Sequence, residues 1–234
     1  MSVQGGSTSQ AFLVAVSTVI FALLPDAAGT VRVHLPLVRR TRDPFDGQWA
    51  LPGGWVCTGE SLSDAGRRTL AETTGLRPSY LEQLYTFGRP DRSPGQRVVS
   101  VVYSALVRNH LAAASTKGEN VRWTTADDCT GLAFDHDEIV RYALWRLRTK
   151  VQHANVALHF LGEQFSLAEL REVHEAILHR PLDPANFRRQ IEGSGVIVPT
   201  GEHQTGGRHR PPKLYRALVP EGPDGPPRSA GPGA

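Results

Sequence analysis

The run Gly54-Trp-Val-Cys-Thr-Gly-Glu60-Ser-Leu-Ser-Asp-Ala-Gly-Arg67-Arg68-Thr69-Leu70-Ala71-Glu72-Thr73-Thr74-Gly75-Leu76 decides how this chain is read. A glycine turn opens it, and the residues from Glu60 to Thr74 carry helical spacing. Arg68 and Glu72 stand four apart, so they share a helix face. Leu62, Ala65 and Thr69 form a second stripe, expected to pack on a sheet. Gly75 is a natural stop, since glycine adopts the left-handed conformation that ends many helices.

Working outward, 234 residues suit one or two domains. Hydrophobic residues make up 40% and charged residues 21%, the balance of an ordinary globular chain rather than a disordered one. The formal charge of +3 is too mild to prove a polyanion partner, so its distribution must decide. Cys57 and Cys129 form neither a zinc spacing nor a disulfide framework, which fits a reducing cytoplasm. The longest apolar run, Ala11 to Leu24, falls short of the ~20 residues of a membrane span, and no basic residue precedes it as in a signal peptide. Its β-branched residues read as a buried strand.

The chain divides near residues 152–156. Residues 1–10 read as a flexible arm, 11–153 as a first domain, 154–219 as a second and 220–234 as a Pro- and Gly-rich disordered tail. In the first domain, strands are expected at about 11–23, 30–39, 80–87 and 97–107. Helices are expected at about 60–74 and 135–153, the latter opening with acids and closing with Arg146, Arg148 and Lys150. The second domain opens with Ser166 and Glu169, a capping box, followed by Leu167, Leu170, Val173, His174 and Ile177 on one face. Asp183-Pro184 then reads as a cap and first helical residue, and Gly193-Ser194-Gly195 stops the short helix. Two short strands, Val196–Val198 and Leu214–Leu218, flank a basic glycine-rich loop. Helix, turn, helix and hairpin together make a winged helix-turn-helix.

In that second domain Phe187 and Ile191 face the core, leaving Asn186, Arg188, Arg189 and Gln190 outward. These side-chain types reach phosphates and base edges. Arg208, Arg210 and Lys213 extend the surface as a wing along the backbone. From Asn186 to Arg216 there are six basic residues (188, 189, 208, 210, 213 and 216) against Glu192 and Glu202, whereas residues 155–175 hold one Arg and four Glu. The domain is polarised rather than uniformly basic, which suits a face for double-stranded operator DNA, although a winged helix also serves as a protein-binding module.

The opening run resembles the Nudix box, G-x5-E-x7-R-E-U-x-E-E-x-G-U, with U a bulky apolar residue. Gly54, Glu60, Arg68, Leu70, Glu72, Gly75 and Leu76 fall on that pattern. The resemblance implies an α/β/α sandwich with a mixed sheet. Two positions depart: Thr69 and Thr73 stand where the family places glutamates that hold Mg²⁺ on a pyrophosphate. Hard cations need several anionic oxygens, so Glu72 is left as a weak metal candidate and no catalytic residue is expected. The segment Gly47-to-Gly54, Pro90 and Phe134-Asp135-His136 resemble the ADP-ribose-directed subgroup. That implies an effector site drawn from Arg39, Arg40, Trp49, Gly53, Gly54, Arg68, Glu72, Pro90 and Arg92, with the arginines, Arg42 among them, on diphosphate and either Trp49 or Trp55 on adenine.

Over about residues 11–218 the chain resembles the Nudix-related transcriptional regulators of NAD metabolism. Phe165-to-His174, Asp183-to-Arg189 and Lys213-to-Arg216 carry the likeness in the second domain. It implies a cytoplasmic homodimeric repressor with no membrane partner. Such a repressor needs no cofactor, takes ADP-ribose or an NAD-related nucleotide as effector, and acts on a palindromic operator near NAD genes. The competing readings are an active Nudix ADP-ribose pyrophosphatase with an accessory winged-helix domain, and a protein-interaction scaffold using both domains.

Overall fold

The computed structural model describes residues 12–78, 80–108, 120–153, 155–204 and 211–218. The expected arm, the tail, and Arg208 and Arg210 of the wing lie outside the described residues. In chain order the elements are β1 (Leu13–Pro25), β2 (Val31–Arg39), β3 (Trp49–Ala50), β4 (Gly53–Trp55), α1 (Leu62–Thr74), β5 (Tyr80–Phe87), β6 (Val98–Leu106), β7 (Val121–Thr125) and α2 (His136–His153). The second domain adds β8 (Phe165–Ser166), α3 (Leu167–Leu178), α4 (Pro184–Gly193), β9 (Ile197–His203) and β10 (Lys213–Ala217).

β1 organises the first domain. Its residues 13–21 run parallel to β6 at 98–106, which makes the sheet mixed. Its other edge is shared: Ala15–Ser17 pair antiparallel with β4, and Ala22–Pro25 with β2. β2 then carries β3 and β7, and β5 closes the far edge beside β6.

Side chains alternate across a strand, so a strand buried on both faces reads as one apolar run. That is why Ala11–Leu24 shows no polar alternation. Val16, Ile20 and Ala22 join α1 residues Ala65 and Leu70 on one face. Val19, Phe21 and Leu23 join Ile139, Val140, Ala143 and Leu147 of α2 on the other. The sheet is thus sandwiched between the two helices.

The helix ends follow local chemistry. Ser61 caps α1 by accepting from the Asp64 amide at 3.2 Å, and Gly75 ends it at φ 72°. Leu62 departs from the expected stripe. It is 36% exposed while Ala65 and Thr69 are buried, because the first turn of α1 precedes the part that lies on the sheet.

In the second domain Ser166 and Glu169 form a complete capping box at α3. Asp183 accepts from the Asn186 amide at 2.8 Å, with Pro184 beginning α4. β10 lies between β8 and β9. Phe165, Leu170, Ile177, Phe187, Ile197 and Tyr215 belong to the same apolar cluster as the α2 face of the first domain, so the two domains share a core. Among the described residues, no helix is long and apolar enough to cross a membrane.

Candidate functional site

The box helix holds its polar side chains in internal bonds. Arg68 donates from Nε and Nη2 to the Glu60 carboxylate at 3.0 and 2.7 Å, and from Nη1 to Glu72 at 3.2 Å. Nη2 also reaches the Trp55 carbonyl at 3.1 Å, which ties the loop after β4 to the helix. The Arg68 bond, with the Cys57 amide donating at 2.6 Å, lowers the Glu60 carboxyl to about 2. The same pair raises Arg68 above its ordinary range.

Thr69 and Thr73 complete the account. Thr69 is buried and donates from Oγ1 to the Ala65 carbonyl at 2.9 Å; Thr73 donates to the Thr69 carbonyl at 2.6 Å. Such i−4 back-bonding occupies the hydroxyl on its own helix. Thr69 also packs where a Cβ on Gly54 would meet its Cγ2 at 3.0 Å. Gly53 has still less room, since a Cβ there would lie 2.4 Å from the Val16 carbonyl oxygen. The residues present therefore do not fit a divalent cation: two neutral hydroxyls are spent on backbone and both glutamates face a guanidinium. Among the described residues, no three His, Cys, Asp or Glu side chains cluster as a metal ion needs. Asp127 and Asp128, just after β7, face Arg32, and Asp127 also binds Arg148.

A second group gathers around residues 133–136, at the start of α2. The Ala133 amide donates to the Trp49 carbonyl at 2.8 Å. The Arg40 guanidinium lies 4.6 Å over the Phe134 ring, while its Nε donates to the Pro44 carbonyl at 2.7 Å. Burial and the neighbouring Arg42 lower the Arg40 pKa. Asp135 accepts both arms of Arg92, at 2.9 and 2.7 Å, with the two side chains only 11% and 5% exposed. His136 is buried and accepts the Leu51 amide at Nδ1, 3.0 Å away. Burial lowers this imidazole to about 4, which keeps it neutral and able to accept.

Arg40, Trp49 and Arg92, far apart in sequence, are thus brought against one tetrapeptide. Arg39 pairs with Trp49 across β2 and β3 and donates to the Gly47 carbonyl at 3.2 Å. Pro90 is exposed in the turn from Arg89 to Arg92. Sequence reading missed Arg122 of β7, whose guanidinium covers the Trp49 ring at 4.2 Å. Its pairing opposite Leu37 is non-local, and no short-range signal announces it.

The second-domain candidates behave differently. Asn186, Arg188, Arg189 and Gln190 are all exposed, and Phe187 turns inward against His174 at 5.0 Å between ring centres. Ile191 is half-buried against the core. Arg188 donates to Glu192 at 3.1 Å, and Glu192 also accepts the Tyr215 hydroxyl at 2.8 Å. Those bonds, Tyr215 first, lower the Glu192 carboxyl below its usual range. Lys213 begins β10 and is exposed. A cleft of about 400 Å³ opens between Ser166–Ala168, Arg188, His203 and Lys213.

Residues 16–143 match the NUDIX domain, and residues 157–217 match the NrtR DNA-binding winged helix domain. The chain is 32% identical, over 190 residues, to the "ADPR responsive transcriptional repressor NtrR" of Acinetobacter baylyi, covering 79% of this chain and 76% of that protein. This chain belongs to the NrtR family. Shewanella oneidensis NrtR in complex with a 27mer DNA superposes with a TM-score of 0.74 at 33% identity, over 87% of this chain and 93% of that one. The Nudix domain of the same NrtR in complex with ADP ribose superposes at 0.50 with 34% identity, over 59% of this chain and 90% of that one.

Proposed function

We propose that this NrtR-family chain is a cytoplasmic repressor of NAD biosynthesis or salvage genes. It binds a palindromic operator as a homodimer and senses ADP-ribose, or a related NAD-derived nucleotide, without hydrolysing it. The single observation that carries the reading is one chain with two contrasted surfaces. A Nudix helix has its metal-ligand positions closed by Thr69 and Thr73, and a short capped helix offers Asn186, Arg188, Arg189 and Gln190 to solvent. The Acinetobacter relative is ADPR responsive by name, and the Shewanella protein forms complexes with DNA and with ADP ribose. Both support carrying these ligands over to this chain.

The effector is assigned to Arg39, Arg40, Trp49, Gly53, Gly54, Arg68, Glu72, Pro90 and Arg92. Trp49 supplies an aromatic face, the glycines allow close backbone approach, and the arginines supply charge for a diphosphate. Arg92 serves here by fixing its turn through Asp135. DNA is assigned to Asn186, Arg188, Arg189 and Gln190, with Arg208, Arg210 and Lys213 on the wing. Two copies double the few base pairs that one short helix reads and set half-sites about one helical turn apart.

The test is fluorescence anisotropy of the full chain on duplexes from upstream of its own genome's NAD genes, with and without ADP-ribose. Chromatography of the nucleotide follows over hours with Mg²⁺. Salt-sensitive binding to one upstream duplex, a shift in its midpoint with ADP-ribose and intact nucleotide are expected. Absence of any DNA binding at low salt overturns the repressor reading. Release of AMP near 1 s⁻¹, the low end of ordinary enzyme rates, overturns the non-hydrolytic one.

A further inference from the structure

α2 is bolted at both ends, and its two ends serve different domains. Its N-terminal side holds the candidate effector walls through Asp135, His136 and the Phe134 ring. Asp137 adds two bonds, accepting the Gly131 and Leu132 amides at 3.0 and 2.9 Å. Arg148 lies twelve residues beyond His136, about 18 Å along the helix at ~1.5 Å per residue. Its Nε donates to the Ile177 carbonyl in the last turn of α3 at 2.9 Å, across the boundary between the domains. Its Nη2 grips both oxygens of Asp127, at 2.8 and 3.0 Å, on the first-domain side.

The chemistry suits this place. The last carbonyls of a helix lack intrahelical partners and carry partial negative charge, so a guanidinium is favoured there. The planar fork of arginine holds its donors in fixed directions, so Nε serves the carbonyl while Nη2 serves the carboxylate; a lysine ammonium lacks that preset geometry. From α3 the path continues to the proposed DNA surface through His174, whose ring meets Phe187 on the inner face of α4. Apolar packing runs the same way, since Leu147, Ile177 and Phe187 belong to one cluster.

We propose that Arg148 is the positioning residue that couples effector occupancy in the first domain to the setting of α4 in the second. The inference rests on the effector-responsive repressor reading given above. A nucleotide that shifts Arg40, Trp49 or Arg92 moves residues 133–136, and a rigid α2 carries that movement to Ile177 and α3. The effector acts on DNA affinity only through its differential affinity for the two settings.

The experiment measures the ratio of DNA dissociation constants with and without saturating ADP-ribose, on the full chain. ADP-ribose affinity and thermal melting are measured in parallel. A ratio of about 5–150 is the ordinary size of such coupling and is expected for the unaltered chain. In Arg148→Gln the ratio falls to within twofold of one, while ADP-ribose affinity stays within threefold. A merely structural role lowers the melting temperature and leaves the ratio alone. Arg141→Gln, on the solvent side of the same helix, keeps the ratio. If Arg148→Gln does not fold, Asp127→Asn decides: loss of at least half the logarithm of the ratio supports the proposal, and an unchanged ratio overturns it. A full ratio in folded Arg148→Gln overturns the proposal and leaves the repressor reading standing. An unaltered chain whose DNA affinity ignores ADP-ribose overturns that reading and the proposal with it.

Discussion

The first domain holds the polar side chains of its candidate site in internal bonds, whereas the candidate surface of the second stands mostly in solvent. Arg68, Arg92 and His136 each have a specific internal partner, and Arg92 and His136 are buried. Arg189, five residues after Pro184 at the start of α4, has no acidic partner among the described residues, and Asn186 and Gln190 stand in solvent beside it. A small, charged nucleotide is bound well by groups already held in place, because ordering them on binding costs affinity. A DNA backbone offers a line of phosphates whose position varies, and long unpaired cations reach it by displacing counterions. The two surfaces differ as their two assigned ligands differ.

The buried pair Arg92–Asp135 should be the hardest feature to break. Its geometry is bidentate, and both side chains are nearly enclosed. Asp135→Ala leaves a guanidinium buried without its counter-charge, a loss of about 3–5 kcal/mol for such pairs. Urea unfolding of the variant should show a midpoint lowered accordingly. A change under about 1 kcal/mol, the ordinary value of an exposed pair, would mean that Arg92 swings out to water and that the contrast between the domains is smaller than drawn.

His136 sharpens the same contrast through pH. Its folded pKa of about 4 lies below the ordinary 6.5. The unfolded chain therefore binds this proton first. Stability from the neutral ring is complete above pH 6.5 and is lost as pH falls from there toward 4. The full loss is about 3 kcal/mol, from the shift between 6.5 and about 4. Glu60 acts in a lower window, between 4.5 and about 2, so the two are separable. His159 and His174 are also lowered by burial and keep part of the decline. Unfolding free energies between pH 7 and 4.5 should thus fall less steeply in His136→Asn, whose amide oxygen can still accept from Leu51. An identical slope in both proteins would contradict a buried neutral imidazole.

Much of this fold was legible because its signals are local. Ser61, Gly75, Ser166 and Asp183 announce helix ends within four residues, and the long apolar runs of β1 and β6 announce buried strands. β3, β4 and β7 were not legible: two are of two or three residues, and all depend on partners elsewhere in the chain. The site divides in the same way. The spacing of Glu60, Arg68 and Glu72 shows in the motif, whereas Arg92 meets Asp135 across 43 residues that no periodicity spans. Leu62 shows the limit of a helical stripe, which gives a direction around the axis but not where along it the sheet begins.

The smallest effect expected lies in the second domain, at its one tethered cation on α4. Arg188 is paired with Glu192, an exposed i,i+4 pair worth about 0.3–0.5 kcal/mol to the free protein. Its greater consequence concerns DNA. Glu192 is held ionised by the Tyr215 hydroxyl and by Arg188, so a negative charge sits on the surface assigned to phosphates. Before Arg188 reaches a phosphate it must leave this partner, whereas Arg189 has no such cost. Glu192→Gln keeps an oxygen for Tyr215 and removes the charge. It should tighten DNA binding by about two- to fivefold at low salt, the scale of one screened surface charge, with little change in unfolding midpoint. Arg188→Ala in the Glu192→Gln background should then weaken binding more than in the unaltered chain, because the free guanidinium was contributing fully. Weaker binding of Glu192→Gln alone would reverse this account: Glu192 would then be aiming Arg188 at the DNA, and α4 would be preorganised in the same manner as the first domain.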